Sequence, residues 1–230
     1  MAGKDREGKK VNMEQAQPAP AEKPKQKGKV FAPYNFKVFD VYDISQVSVT
    51  DPGLKSVINL NEKLVLKTHG RHTEKYGRTK INVIERMIGY IGVPGHRGKK
   101  HKIRTNWASG KYEKNAATLM EAFKIIEGKT KQNPIQLLIK AIENSAPDDE
   151  VTTIEYGGAR YPQAVDVSPL RRLNLALRNI VHGSYDKAFG KRASIAEGLA
   201  AEIISASQGN NESVGVTKKN ESEKQADSAR

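Results

Sequence analysis

Apolar side chains recur at helical spacing along most of this chain, and that periodicity predicts a mainly α fold. Asn133 followed by Pro134 marks a helix start, after which Ile135, Leu138, Ile139 and Ile142 fall at i, i+3, i+4 and i+7. Upstream, Leu119, Phe123 and Ile126 make a second stripe, ended by Gly128 and a Lys-Thr-Lys turn. Downstream, Ser168 with Pro169 opens a helix carrying Leu170, Leu173, Leu177, Ile180 and Val181, expected to stop near Gly183. A further helix begins at the capping box of Ser194 and Glu197 and carries Leu199, Ile203 and Ile204, while an earlier one spans Ile81 to Ile91. The chain has no cysteine, so neither disulfides nor thiolate zinc sites hold it together. The stripes must therefore bury one another, and they read as core rather than chemistry.

Between the helices opening at Asn133 and Ser168 the pattern changes to alternation. Val151 to Tyr156, a glycine turn over Gly157, Gly158, Ala159 and Arg160, and Tyr161 to Val167 predict a β-hairpin at about 150–167. A lone two-stranded ribbon is marginal in water. Such an arm leans on a helix or a partner and presents its tip; a hairpin lying flat on its own domain is the alternative. The expected architecture is a helical bundle with a protruding β-hairpin arm and disordered or extended termini.

Charge narrows the function classes. The sequence carries 39 Lys plus Arg against 26 Asp plus Glu, a net charge of +13 and a pI near 9.7, which suits a polyanionic partner. Electrostatics alone would also permit an anionic membrane, but no apolar run approaches the roughly 20 residues that span a bilayer. Met1 to Lys29 has no apolar signal region, so a cytoplasmic location is expected. Residues 1–30, with Pro18, Pro20 and Pro24 and no aromatic cluster, bury too little surface to offset their ordering entropy and read as a disordered basic tail. Residues 31–208 read as one helical nucleic-acid-binding domain. Residues 209–230 read as a polar extension suited to forming a helix on a partner.

The basic residues cluster. His96 to Arg104 holds Arg97, Lys99, Lys100, Lys102 and Arg104 without an acid, after Gly89, Gly92, Pro94 and Gly95 and before the single tryptophan, Trp107. Glycines let such a loop approach a phosphate backbone while Lys and Arg supply charge-assisted bonds. A solvated surface loop is the plain alternative. A second cluster (Arg71, Lys75, Arg78, Lys80) lies upstream, and Arg171, Arg172 and Arg178 sit off the apolar stripe of their helix. Clusters of one sign on several elements suggest an extended binding surface.

Catalytic readings fail on spacing. Gly92 to Lys100 departs from the phosphate-loop pattern, with Lys100 where Ser or Thr should hold magnesium. His69, His72, His96, His101 and His182 show no metal-ligand spacing, and Asp148 and Asp149 lack a nearby nucleophile or oxyanion donor, so no cofactor or metal is expected. A basic helical RNA or DNA binder remains. A free-standing DNA-binding regulator is the alternative from another class, marked by a dimeric footprint on duplex DNA.

Several segments in order resemble one family. Asn133 to Asn144 (NPIQLLIKAIEN) is similar to the best-marked motif of ribosomal protein seven of the small subunit, protein five in older eukaryotic nomenclature. Ala164 to Arg172 (AVDVSPLRR) resembles that family's hairpin-to-helix junction, Ile195 to Ile204 (IAEGLAAEII) its late helix, and Lys218, Lys219 and the polar stretch ending in Ala229 and Arg230 its C-terminus. The resemblance runs from about Val38 to Arg230. It implies a structural, non-enzymatic protein of the small ribosomal subunit. Such a protein binds the 3′ major domain of small-subunit rRNA early in head assembly, beside ribosomal protein eleven and other head proteins.

By that resemblance Gly157, Gly158, Ala159, Arg160 and Tyr161 would stand near exit-site tRNA and mRNA. Arg71, Arg78, Lys80, Arg97, Lys99, Lys100, Lys102, Arg104, Arg171, Arg172, Lys218 and Lys219 would face rRNA. The long Ile103 to Lys114 connection and an arm whose tip carries only Arg160 as formal charge favour the archaeal type. Tyr156 and Tyr161 either stack on RNA or pack across the hairpin.

Overall fold

A computed structural model of the chain describes residues 37–63, 65–70, 72–93 and 108–230, all within the compact unit that spans 35–230. The basic loop residues Arg97, Lys99, Lys100, Lys102 and Arg104, with Arg71 and Trp107, lie outside the described residues. Among those described, seven α-helices occur in the order α1 (Pro52–Lys55), α2 (Val83–Ile91), α3 (Tyr112–Thr130), α4 (Pro134–Ser145), α5 (Pro169–Ala188), α6 (Ile195–Ser207) and α7 (Val214–Ser228). A hairpin of β1 (Asp149–Tyr156) and β2 (Ala159–Asp166) separates α4 from α5, so the mainly helical fold with a hairpin arm is the one observed.

The helix starts follow their local chemistry. Asn133 caps α4 by accepting from the Ile135 amide with Pro134 at the first helical position. Ser194 and Glu197 form the reciprocal capping box of α6. Helix α2 is shorter at its start than the Ile81 to Ile91 stripe because Ile81 closes the preceding turn of 3-10 helix, Gly77–Lys80, and Asn82 caps α2 by accepting from the Ile84 amide. At the end of α3, Gly128 does not stop the helix; Lys131 does, in a left-handed conformation at φ 55°.

Helix α6 is the centre of the body, packed by α3, α4, α5 and α7. Its small residues allow this. A Cβ on Gly198 would stand 2.6 Å from the Ser184 carbonyl oxygen of α5, so only glycine permits that crossing. Gly183 works the same way and corrects the expected stop. Helix α5 continues through it to Ala188, because the missing Cβ makes room for the Glu202 carboxylate and Val214 rather than ending the turn. The core around Phe123 is completed by Ile84, Met87, Leu138, Leu177 and Ile203, with Phe39 and Tyr42 edge-on to the Phe123 ring.

Residues 43–51 cross the outside of α4, held by its polar side chains. The Gln136 side chain pairs reciprocally with the Ser48 backbone, and Glu143 accepts from the amides of Thr50 and Asp51. Asp51 then caps α1, and Arg172 on α5 reaches it at 2.9 Å.

Candidate nucleic-acid interface

The arm is built by two glycines. Gly157 and Gly158 have φ of 59° and 81°, the left-handed pair that a two-residue hairpin loop requires for its twist to match the strands. Ala159 and Arg160 therefore join β2 instead of the expected four-residue turn, with Tyr156 opposite Ala159 and Glu155 opposite Arg160. That register pairs the tip's one charge with Glu155, at 3.7 Å, and it puts Ile154, Tyr156, Tyr161 and Val165 on a single face. All four are exposed, Tyr156 by 81%. Packing across the hairpin does not bury these tyrosines, so their ring faces are open to a partner.

The root of the arm, by contrast, is tied down. Arg171 binds Glu150 through two nitrogens at 2.5 and 2.6 Å, and this hydrogen bonding holds the Glu150 carboxyl below the usual carboxylate range. Helix α7 lies against β1: Ser222 donates to the Asp149 carbonyl, Glu223 accepts from the Asp148 amide, and Arg230 pairs with Asp149. The polar C-terminal segment is thus a helix docked on its own chain. It is anchored through Glu202 of α6, fully buried, which accepts from Ser213 Oγ at 2.8 Å and the Gly215 amide at 3.2 Å. Lys187 Nζ stands 2.6 Å from the other carboxylate oxygen at an angle outside the hydrogen-bond range, so attraction of charge rather than a directed bond holds it.

The remaining basic residues divide by setting. Arg78 is exposed, Lys80 pairs at the surface with Glu74, and Lys218 with Glu221. Lys219 is turned toward Glu223 with only 22% of its side chain exposed. Arg172 is more enclosed still, 12% exposed, bound by Asp51, Asp148 and the Pro147 carbonyl. These contacts occupy its guanidinium within the fold, joining α1, the entry to the arm and α5.

Two hollows meet beside Arg178. One, of about 770 Å³, is walled by α2 and α5 and bounded by Thr68, Gly70 and Tyr112; the other, of about 620 Å³, runs past the start of α5 at Ser168 and Arg171. Tyr90, Asn174 and Arg178 line both, so they form one trough across the basic side of the body. Asn174 Oδ1 accepts from Arg86 at 2.6 Å and from the Tyr90 hydroxyl at 3.0 Å. Burial presses the Arg86 guanidinium below its ordinary pKa, with Tyr90 opposing and Arg78 adding to the effect. Burial, then Glu85 and Glu113, push the Tyr112 phenol up to about 12, so its ring stays neutral. Periodicity assigns Arg86 and Tyr90 to a core helix; nothing in a linear pattern shows that they face Asn174 across a trough.

A basic body, an open trough and a bare aromatic arm define a nucleic-acid-binding scaffold. No cluster of three or more metal-ligating side chains occurs among the described residues. No helix among them is long and apolar enough to cross a membrane. Comparison with known proteins narrows the class. Residues 56–230 match the family described as ribosomal protein S7p/S5e. The chain is 47% identical over 195 residues to the small ribosomal subunit protein uS7 of Nanoarchaeum equitans, covering 84% of this chain and 98% of that one. It is 46% identical over 190 residues to the Picrophilus torridus protein of the same name, covering 82% and 96%. With the Methanosphaera stadtmanae protein, also named small ribosomal subunit protein uS7, it shares 41% over 196 residues, covering 85% and 99%. The chain belongs to the ribosomal protein S7p/S5e family, is of archaeal type, and is a structural rather than catalytic component of the ribosome.

Proposed function

We propose that this chain binds the 3′ major domain of small-subunit rRNA, nucleates assembly of the subunit head, and holds its arm near the exit tRNA site and the mRNA path in the cytoplasmic ribosome. The carrying observation is the family match across 56–230 on a chain with a net charge of +13. Within that reading, Arg71, Arg78, Lys80, Arg97, Lys99, Lys100, Lys102, Arg104, Arg171 and Lys218 neutralise rRNA phosphates. Arg172 and Lys219 act chiefly by fixing the arm's root, as their ion pairs support. Gly157 to Tyr161 form the tip presented to tRNA and mRNA. Its contact is one of stacking and shape, because Arg160 is paired with Glu155 and the tyrosine face is open. Ribosomal protein eleven and other head proteins are the expected protein neighbours.

The test is titration of the full chain with a transcript of the 3′ major domain over a range of salt. Backbone neutralisation releases counterions, so log affinity should fall with log salt by roughly 0.7–0.9 per phosphate neutralised. Replacing Arg97, Lys99 and Lys100 by Ala should weaken binding on all transcripts carrying the site and flatten the slope. A salt-insensitive association sinks the mechanism, and a dimeric footprint on duplex DNA would favour a DNA-binding regulator instead.

A further inference from the structure

We propose that the hollow between α2 and α5 captures one unstacked nucleobase of the bound RNA. This rests on the rRNA-binding reading and adds a chemically defined subsite to it.

Two residues that line the hollow each carry a buried polar atom with no hydrogen-bond partner among the described residues. Arg86, only 7% exposed, spends one terminal nitrogen on Asn174, while its other terminal nitrogen, NH1, is buried without a hydrogen-bond partner. Buried donors of this kind are rare because each one left unmade forfeits its hydration. One residue earlier, Glu85 accepts from the Thr68 amide and hydroxyl through Oε1, whereas its Oε2 is buried and unpartnered. Both residues line the same hollow, and no ion pair joins them among the described residues. Both atoms are closed to solvent in the free chain, so the ligand that suits them is one that turns these side chains toward the hollow on entry and offers an acceptor to one and a donor to the other.

The walls specify its shape. Tyr90 and Tyr112 supply aromatic surface, and between Glu85 and Val93 helix α2 presents Gly89, where an added Cβ would meet no atom within 4 Å. Glycine inside a helix costs stability relative to alanine. Here it leaves bare helix backbone as part of the wall. The volume, about 770 Å³, lies inside the range of roughly 300–1,000 Å³ typical of small-ligand clefts.

A bare phosphate would satisfy Arg86 but meet repulsion from Glu85. A nucleobase is flat and carries donors and acceptors on one edge. The match is fullest for guanine, whose O6 or N7 accepts from a guanidinium while N1–H or N2–H donates to a carboxylate. Arg78 and Arg178 at the hollow are then placed for the phosphates on either side of the base.

The experiment pairs binding measurements with base-specific chemical probing of a 3′ major domain transcript bound to the full chain. Two variants are used. Arg86→Gln removes the orphan donor; Gly89→Phe puts a ring at the hollow from an exposed position where an added Cβ meets no atom within 4 Å, so it reports even if the first variant does not fold. Both should weaken binding about tenfold, the scale of one lost stacking contact, and return the same single unpaired nucleotide to chemical reactivity while the rest of the footprint persists. Wild-type affinity and footprint for Gly89→Phe would overturn the proposal and leave rRNA binding standing. So would a uniform loss of protection that exposes no individual base, since that marks phosphate contact only. Heat stabilisation of the wild type by free GMP, with a Gly89→Phe footprint unchanged at every nucleotide, would assign the hollow to a mononucleotide and overturn it as well. Failure of the wild type to bind the transcript at all strikes the rRNA-binding reading itself, and the proposal with it.

Discussion

Replacing Glu202 by alanine tests how the arm is held. The carboxylate is fully buried and accepts from Ser213, the cap of α7, and from the Gly215 amide, with Lys187 of α5 beside it. Hydrogen bonds to a charged group contribute about 1.5–3 kcal/mol each, and breaking a buried ion pair costs about 3–5 kcal/mol. Two features lower the sum: the Lys187 side chain is 29% exposed and can turn to water, and alanine has no buried charge to desolvate. A net loss of about 3 kcal/mol follows, equivalent to a fall in Tm of roughly 6–12 °C for a chain of this size. Because Glu202 holds the first turn of α7, and α7 sets Ser222 and Glu223, with Arg230 just beyond its end, against the root of the arm, the loss should be regional. Thermal and urea unfolding give the magnitude; hydrogen exchange locates it, with amides of 213–228 and the β1 root losing protection before α3 and α4. A change below about 1 kcal/mol, or loosening spread evenly over the body, would refute the view that Glu202 joins the arm's buttress to the core.

Gly183→Ala would set a Cβ 2.6 Å from Glu202 Oε1 and 2.9 Å from Val214, and overpacking of this kind should cost about 1–3 kcal/mol in urea unfolding. Gly158→Val places a β-branched residue at φ 81°, so NMR of the arm should show the tip frayed with the helical body unchanged. Glu150 has its carboxyl pKa lowered by Arg171, so its contribution is present above the unfolded carboxylate range and is lost as pH falls through the folded value. Acid titration should loosen the arm's root by well under about 1 kcal/mol, since both groups are partly solvated, and Arg171→Ala should abolish that component. Deletion of 157–160 should leave incorporation into the small subunit largely intact and alter exit-site tRNA behaviour. An assembly defect from that deletion would mean that the arm and body roles had been exchanged.

The chain's local chemistry carried much of this into the sequence. Caps at Asn133 and Ser194 and the i, i+3, i+4 stripes mark helix positions because those interactions are made within a few residues. The alternation around Gly157 and Gly158 marks the hairpin for the same reason. Net charge and the ordered motifs likewise pointed to an rRNA-binding family protein without coordinates. Tertiary packing decided the rest. Gly183 reads as a helix stop in one dimension, yet it is a gap that a carboxylate from α6 fills. Arg172 reads as one more cation, yet it is enclosed by Asp51, 121 positions away in sequence, and by Asp148. Arg86 and Glu85 read as the polar side of a core helix, yet each leaves one atom unsatisfied in the same hollow. Composition and spacing determine which segments become helices and that the surface is cationic. Which cations are occupied by the fold, and which polar atoms are left without a partner among the described residues, depends on neighbours distant in sequence and is settled only when the helices pack.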